Sequence, residues 1–219
     1  MTIADVDAVR VLHASLEVSD DELARCRALL NDEERARADR FRFAKHARRF
    51  TVARAFLRTA LGDTLGRSAE SIVLELSENG KPFLAGGELQ FNLSHSHELA
   101  VMAIAETRVG VDVEHVRPMP DASRLAERFF APDEASGLRR VAEDDRDHAF
   151  FRIWTAKEAY LKARGAGIAV LPLSSFAVSL DRDAPSLLRA DDDDPARWRL
   201  SRGSVPDGYL CTVALDITP

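Results

Sequence analysis

The chemistry-bearing residues of this chain cluster in four short stretches. In Gly110-Val111-Asp112-Val113-Glu114, a strand's period of two puts both valines on one face and both carboxylates on the other. A hard divalent cation such as Mg²⁺ accepts one or two such carboxylates and completes its shell with water and phosphate oxygens. Alone, the alternation more often marks a solvated strand face. A second stretch, Trp154 to Lys162 with sequence WTAKEAYLK, reads as helix interior, with Trp154, Glu158 and Lys162 at successive i,i+4 positions on one face. An exposed Glu–Lys pair at that spacing is worth only ~0.3–0.5 kcal/mol. The tryptophan on the same stripe predicts partial burial, where an idle ion pair is expensive.

The other two stretches are weaker. Asn79-Gly80-Lys81-Pro82 places a lysine just past a tight turn, restrained by proline, where its ammonium can meet a phosphate. Phe91-Asn92-Leu93-Ser94-His95-Ser96-His97 ends a strand in hydroxyls and imidazoles able to bond phosphate oxygens. Adjacent Ser94 and His95 point to opposite strand faces and lie outside any G-x-S-x-G elbow, so they do not read as nucleophile and base. Neither His95 and His97 nor Cys26 and Cys211 have zinc-ligand spacing.

Elements must bring these stretches together. Asn31 and Glu34 have capping-box spacing, with an acidic first turn, so a helical region begins there. Its continuation carries Phe50, Ala53, Leu57, Ala60 and Leu61 at helical spacing, with Gly62 as its stop and Arg48, Arg49, Arg54 and Arg58 toward the other faces. Strands follow at Ile72–Leu76, Leu89–Leu93, Leu99–Ala105 and Val109–Glu114, then helices at Asp121–Phe129, from Pro132, and at Asp147–Arg164 ending at Gly165. Strands at Phe176–Leu180, Trp198–Ser201 and Tyr209–Leu215 close the chain. The pattern is α+β rather than a doubly wound parallel sheet. The acidic run Asp191–Asp194 beside Pro195 reads as a solvated loop, not a metal cage.

At 219 residues and 46% hydrophobic content the chain can bury a substantial core. A net charge of −6 argues against a nonspecific nucleic-acid binder. No long uncharged apolar run suggests a membrane span and no basic leader precedes an apolar stretch, so a soluble cytoplasmic protein is expected. Arginines are many, but the lysines are Lys45, Lys81, Lys157 and Lys162, three of them in the stretches above.

In this order the motifs G-K-P, F-N-x-S-H-S, G-x-D-x-E and W-x-x-K-E-A-x-x-K resemble the Sfp-type 4′-phosphopantetheinyl transferases, over about Arg40 to Gly167. The resemblance implies a monomer of two similar α+β subdomains related by pseudo-twofold symmetry, here 1–105 and 106–219, with coenzyme A and Mg²⁺ (or Mn²⁺) between them. It implies Asp112, Glu114 and Glu158 as metal ligands, and Lys162 as a phosphate-binding and catalytic lysine beside a catalytic Glu158. Lys81, Ser94 and His95, with Arg37 and Arg49, are implied as coenzyme A contacts. The implied reaction moves the phosphopantetheine arm onto a serine of an apo acyl or peptidyl carrier protein, as in polyketide or nonribosomal-peptide synthesis, leaving 3′,5′-ADP. Two other readings stay open: a Mg²⁺-dependent hydrolase of nucleotides or phosphodiesters, which needs no carrier, and a regulatory protein that binds coenzyme A without transfer.

Overall fold

A computed structural model describes residues 2–6, 9–77, 80–166 and 170–218. Its elements are β1 (Thr2–Val6), β2 (Val9–Ser15), α1 (Asp20–Ala28), α2 (Asp32–Asp39), α3 (Ala44–Leu65), β3 (Leu74–Leu76), β4 (Pro82–Leu84), β5 (Gln90–Ser96), β6 (Leu99–Ala105) and β7 (Val109–His115). There follow α4 (Ala122–Phe129), α5 (Pro132–Arg139), α6 (Glu143–Arg164), β8 (Phe176–Val178), β9 (Leu187–Ala190), β10 (Trp198–Arg202) and β11 (Tyr209–Asp216). Asn79, assigned to a tight turn, and Gly167, at the end of the motif-bearing region, lie outside the described residues. No helix among those described is long and apolar enough to cross a membrane.

Two antiparallel sheets, ordered β1-β2-β6-β5 and β10-β11-β7, form the centre. Strand alternation assigns each side chain to a layer. On β6, Ala100, Met102 and Ile104 pack with Phe56, Leu57 and Leu61 of α3, while Leu99, Val101, Ala103 and Ala105 meet Val109, Val111 and Val113 of β7 and Val213 of β11. The two sheets therefore share one apolar core, and a long helix covers each outer face. Both helices, α3 and α6, have 22 residues and end on a left-handed glycine, Gly66 at φ 65° and Gly165 at φ 68°. The halves are thus similar α+β units, each a sheet crossed by a 22-residue helix.

Several expectations are corrected. Gly62 does not stop α3, which runs three residues further. A Cβ there would lie 2.7 Å from the Arg67 carbonyl oxygen, so the glycine serves a close approach of the chain that follows. The helical region from Asn31 is broken at residues 40–43 into α2 and α3, and α6 starts at Glu143, one turn before Asp147. Strands β1 and β2 and helix α1 were not anticipated. The expected capping box between Asn31 and Glu34 is present, yet Glu34 is also buried, its Oε2 accepting a hydrogen bond of 2.7 Å from Arg58. Arg58 is 1% exposed and Arg54 is 9% exposed, so the face of α3 that carries these two arginines is buried against Glu34 of α2. The acidic run is not simply solvated either. Asp193 accepts hydrogen bonds from Tyr160 at 3.0 Å and Trp198 Nε1 at 2.8 Å, and pairs with Arg164 near the end of α6.

Candidate active site

Strand β7 has β11 on one side. On the other, the backbone N–H groups of Val111, Val113 and His115 meet side chains of β5 instead of a backbone ladder. Asn92 Oδ1 accepts from Val111 N at 2.9 Å, Ser94 Oγ from Val113 N at 3.4 Å and Ser96 Oγ from His115 N at 3.2 Å. The polar period-two run of β5 is thus the seam between the halves. Its two serines also donate to the carboxylates of β7: Ser94 to Asp112 Oδ1 at 2.9 Å and Ser96 to Glu114 Oε2 at 2.6 Å.

Helix α6 meets the same face of β7. Gly110 makes this possible, because a Cβ there would fall 2.1 Å from the Ala159 carbonyl oxygen and 2.3 Å from Ala163 N. With backbone against backbone, the Trp154–Glu158–Lys162 stripe is half-buried, as the tryptophan on it predicts. Lys162 Nζ stands 2.5 Å from Asp112 Oδ1 and 3.0 Å from Ser94 Oγ, so its partner is the strand aspartate rather than Glu158 one turn away. Lys81 Nζ crosses from the first half to donate to the Lys162 carbonyl at 3.0 Å, near the C-terminus of α6 where the helix dipole favours a cation. Burial and the neighbouring Lys162 ammonium lower the Lys81 pKa.

Two carboxylate oxygens of the cluster remain without partners. Asp112 Oδ2 and Glu158 Oε1 are buried with no hydrogen-bond partner, although they sit on different elements. Burial raises the pKa of both; Lys162 opposes the rise, and the mutual repulsion of Asp112, Glu158 and Glu114 adds to it. Among the described residues no three His, Cys, Asp or Glu side chains stand gathered for a metal ion as they are. Two orphaned oxygens beside a third carboxylate are nevertheless the donor set that a hard cation takes, and buried unpaired acceptors call for a partner.

Two cavities adjoin the α6 stripe. One, of about 480 Å³, is lined by Arg37, Phe50, Arg54, Lys81, His95 and Lys162 among others, and lies between the halves. The other, of about 270 Å³, is lined by Glu114 and by the aromatic rings of Phe129, Phe130, Phe150 and Trp154. The α6 stripe runs from the aromatic cavity at Trp154, past Glu158, to the basic cavity at Lys162.

Of the residues singled out in the sequence, Asp112, Glu114, Glu158, Lys162 and Ser94 converge, and Arg37, Lys81 and His95 line the basic cavity. Arg49 instead pairs with Glu98 through two hydrogen bonds. Arg54 was missed as a cavity residue: it stands 3.5 Å from Glu34 Oε1, yet its buried Nε has no hydrogen-bond partner. The available signal was the helical spacing Phe50, Ala53, Leu57, against which Arg54 falls at a flank rather than opposite. Ser96 was also passed over, although Asn92, Ser94 and Ser96 share one strand face.

The 4′-phosphopantetheinyl transferase superfamily pattern matches residues 108–214, and the 4′-phosphopantetheinyl transferase N-terminal pattern matches residues 16–107. The 4′-phosphopantetheinyl transferase HetI of Nostoc sp. is 41% identical over 214 residues, covering 95% of this chain and 88% of its own. The chain belongs to the 4′-phosphopantetheinyl transferase superfamily. A 4′-phosphopantetheinyl transferase of Bacillus pumilus is 34% identical, covering 85% of this chain and 81% of its own. For the 4′-phosphopantetheinyl transferase Sfp of Bacillus subtilis the identity is 28%, with 90% and 86% covered. The two family patterns meet between residues 107 and 108, in the turn between β6 and β7 that separates the two sheets.

Proposed function

We infer that the chain carries out its superfamily's reaction with the carboxylate cluster as a Mg²⁺ site and the basic cavity as the seat of the coenzyme A phosphates. It is a transferase that moves the 4′-phosphopantetheine group of coenzyme A to a serine of an apo carrier protein. The observation that carries the metal reading is the pair of partnerless buried oxygens, Asp112 Oδ2 and Glu158 Oε1. Asp112, Glu114 and Glu158 would hold the ion, which supplies Lewis-acid neutralisation of charge on the diphosphate. Lys81, Arg37 and Arg54 bind and orient phosphate oxygens from the cavity walls, with His95 beside them, and the aromatic cavity takes the apolar part of the pantetheine arm. Attack by the serine Oγ on the β-phosphorus forms the new P–O bond and breaks the bond to 3′,5′-ADP. Glu158 accepts the serine proton, and Lys162 meets the charge on the leaving oxygen and protonates it. Each half contributes to one site, so a single chain is complete and the working form is a monomer.

The direct test incubates the protein with coenzyme A, Mg²⁺ and an apo carrier protein and reads intact mass. One added phosphopantetheine arm is expected, and none without metal. Product released from coenzyme A in the absence of carrier would favour a hydrolase instead. Lys162→Arg keeps the charge but holds its proton too tightly to donate it, so kcat should fall about 100-fold. Wild-type turnover in that variant would remove Lys162 from proton transfer.

Metal binding has a readout free of turnover. Because burial raises the pKa of Asp112 and Glu158, their ionisation opposes folding. That penalty is absent below the unfolded carboxylate values and grows as pH rises through the folded ones. A cation relieves it. At ten times its Kd, Mg²⁺ should add about 1.4 kcal/mol of stability at pH 7.5, or about 3–6 °C in Tm, with the gain shrinking as the pH is lowered. A melting temperature indifferent to Mg²⁺ and to chelator would count against the site.

A further inference from the structure

We propose that Ser96 is a positioning residue that holds Glu114 for the ion, an inference that rests on the metal reading of the carboxylate cluster. Two contacts meet at the single Ser96 hydroxyl oxygen. It accepts from His115 N at 3.2 Å and donates its one proton to Glu114 Oε2 at 2.6 Å. The carboxylate is thereby tied to the backbone of its own strand through a residue of the other half. The tie is rigid at the β5 end, where Ser96 pairs with Leu99 at the head of the hairpin. It is clamped at the β7 end by the ring of His97 stacked on His115, 4.8 Å between centroids.

A competitor makes the tie consequential. Arg117, on an exposed side chain, has its Nη1 3.6 Å from the same Oε2 atom of Glu114. Without the serine hydroxyl, a partly exposed glutamate with three rotatable bonds has the guanidinium as its remaining ion-pair partner and is free to follow it toward solvent. With the hydroxyl in place, Oε2 is held at the seam and Oε1 stays uncommitted to it. Ser94 does the equivalent for Asp112, but its hydroxyl also accepts from Lys162. Ser96 therefore isolates the positioning effect on a carboxylate without touching the catalytic lysine. Hydrogen-bond partners of metal-ligating groups commonly govern affinity by one to two orders of magnitude.

The test titrates Mn²⁺ into the full chain without coenzyme A or carrier and follows free Mn²⁺ by EPR. Ser96→Ala should raise the Mn²⁺ Kd by about 10-fold or more, and Ser96→Thr, which keeps the hydroxyl, should restore most of the affinity. An unchanged Kd in Ser96→Ala overturns the proposal while leaving the metal site intact. So does equal weakening in Asn92→Ala, which breaks the same seam without touching a carboxylate, because the effect would then belong to the seam. Failure of the wild-type chain to bind Mn²⁺ overturns the metal reading itself, and this inference with it.

Discussion

Gly110→Ala is expected to lower kcat/KM by at least ~1,000-fold, although the added methyl is apolar and far from charged. Its Cβ would stand 2.1 Å and 2.3 Å from backbone atoms of Ala159 and Ala163. Backbone cannot rotate away as a side chain does, so α6 must lift off β7. Glu158 and Lys162 ride on that helix, while Asp112 and Glu114 stay on the strand. A misplacement of about 1 Å at one group can already reduce rate about 100-fold, and here two move together. Overpacking of this kind also destabilises by about 1–3 kcal/mol or more, so melting and transfer should be measured on the same preparation. An alanine variant that turns over like wild type would mean the helix and strand do not need this contact to assemble the site.

Lys157→Met should be the most destabilising change among the motif lysines. The Lys157 side chain is fully buried, and its three ammonium protons have three acceptors: Glu134 Oε2 at 2.7 Å, the Leu173 carbonyl at 2.8 Å and the Phe176 carbonyl at 2.7 Å. Glu134 in turn accepts from Ala131 N at 2.8 Å and Val178 N at 2.7 Å. One ion pair thus links α6, α5, β8 and the turn before it. Burial pushes Lys157 down to about 8 and raises Glu134, and each opposes the other's shift, so each charge depends on its partner. Methionine fills the space but leaves a buried carboxylate without a countercharge and two carbonyls without a donor, a loss of about 3–5 kcal/mol, or about 6–20 °C in Tm. Adding Glu134→Gln should recover part of it. A methionine variant within about 1 kcal/mol of wild type would show that the pair stabilises little.

The contrast between Lys157 and Lys162 shows what spacing reveals. Both lie in WTAKEAYLK, and the i,i+4 rule separated them correctly: Lys162 shares a stripe with Glu158 and Trp154, and Lys157 does not. That rule works because helical geometry is local and repeats every 3.6 residues. The same holds for β7, where period two set Asp112 and Glu114 opposite Val111 and Val113. Local rules did less well where burial decides. Helical spacing placed Arg58 and Arg54 toward other faces of α3, but it does not show that Glu34 of the neighbouring helix α2 pairs with both. Gly62 looked like a helix stop because glycine often is one; only the returning chain at Arg67 shows why it sits inside α3.

By itself the sequence determined which carboxylates share a strand face, which acid and base share a helix stripe, and that the chain alternates helices and strands in two comparable halves. These follow from backbone periodicity, which each segment carries alone. Tertiary structure decided that β5 and β7 meet edge to edge through Asn92, Ser94 and Ser96, that Gly110 lets α6 lie against β7, and that Lys162 settles on Asp112. Those are contacts between residues from 18 to about 50 positions apart. They depend on the fit of surfaces and on the desolvation of each group, quantities that no single segment holds until the two sheets close on their common core.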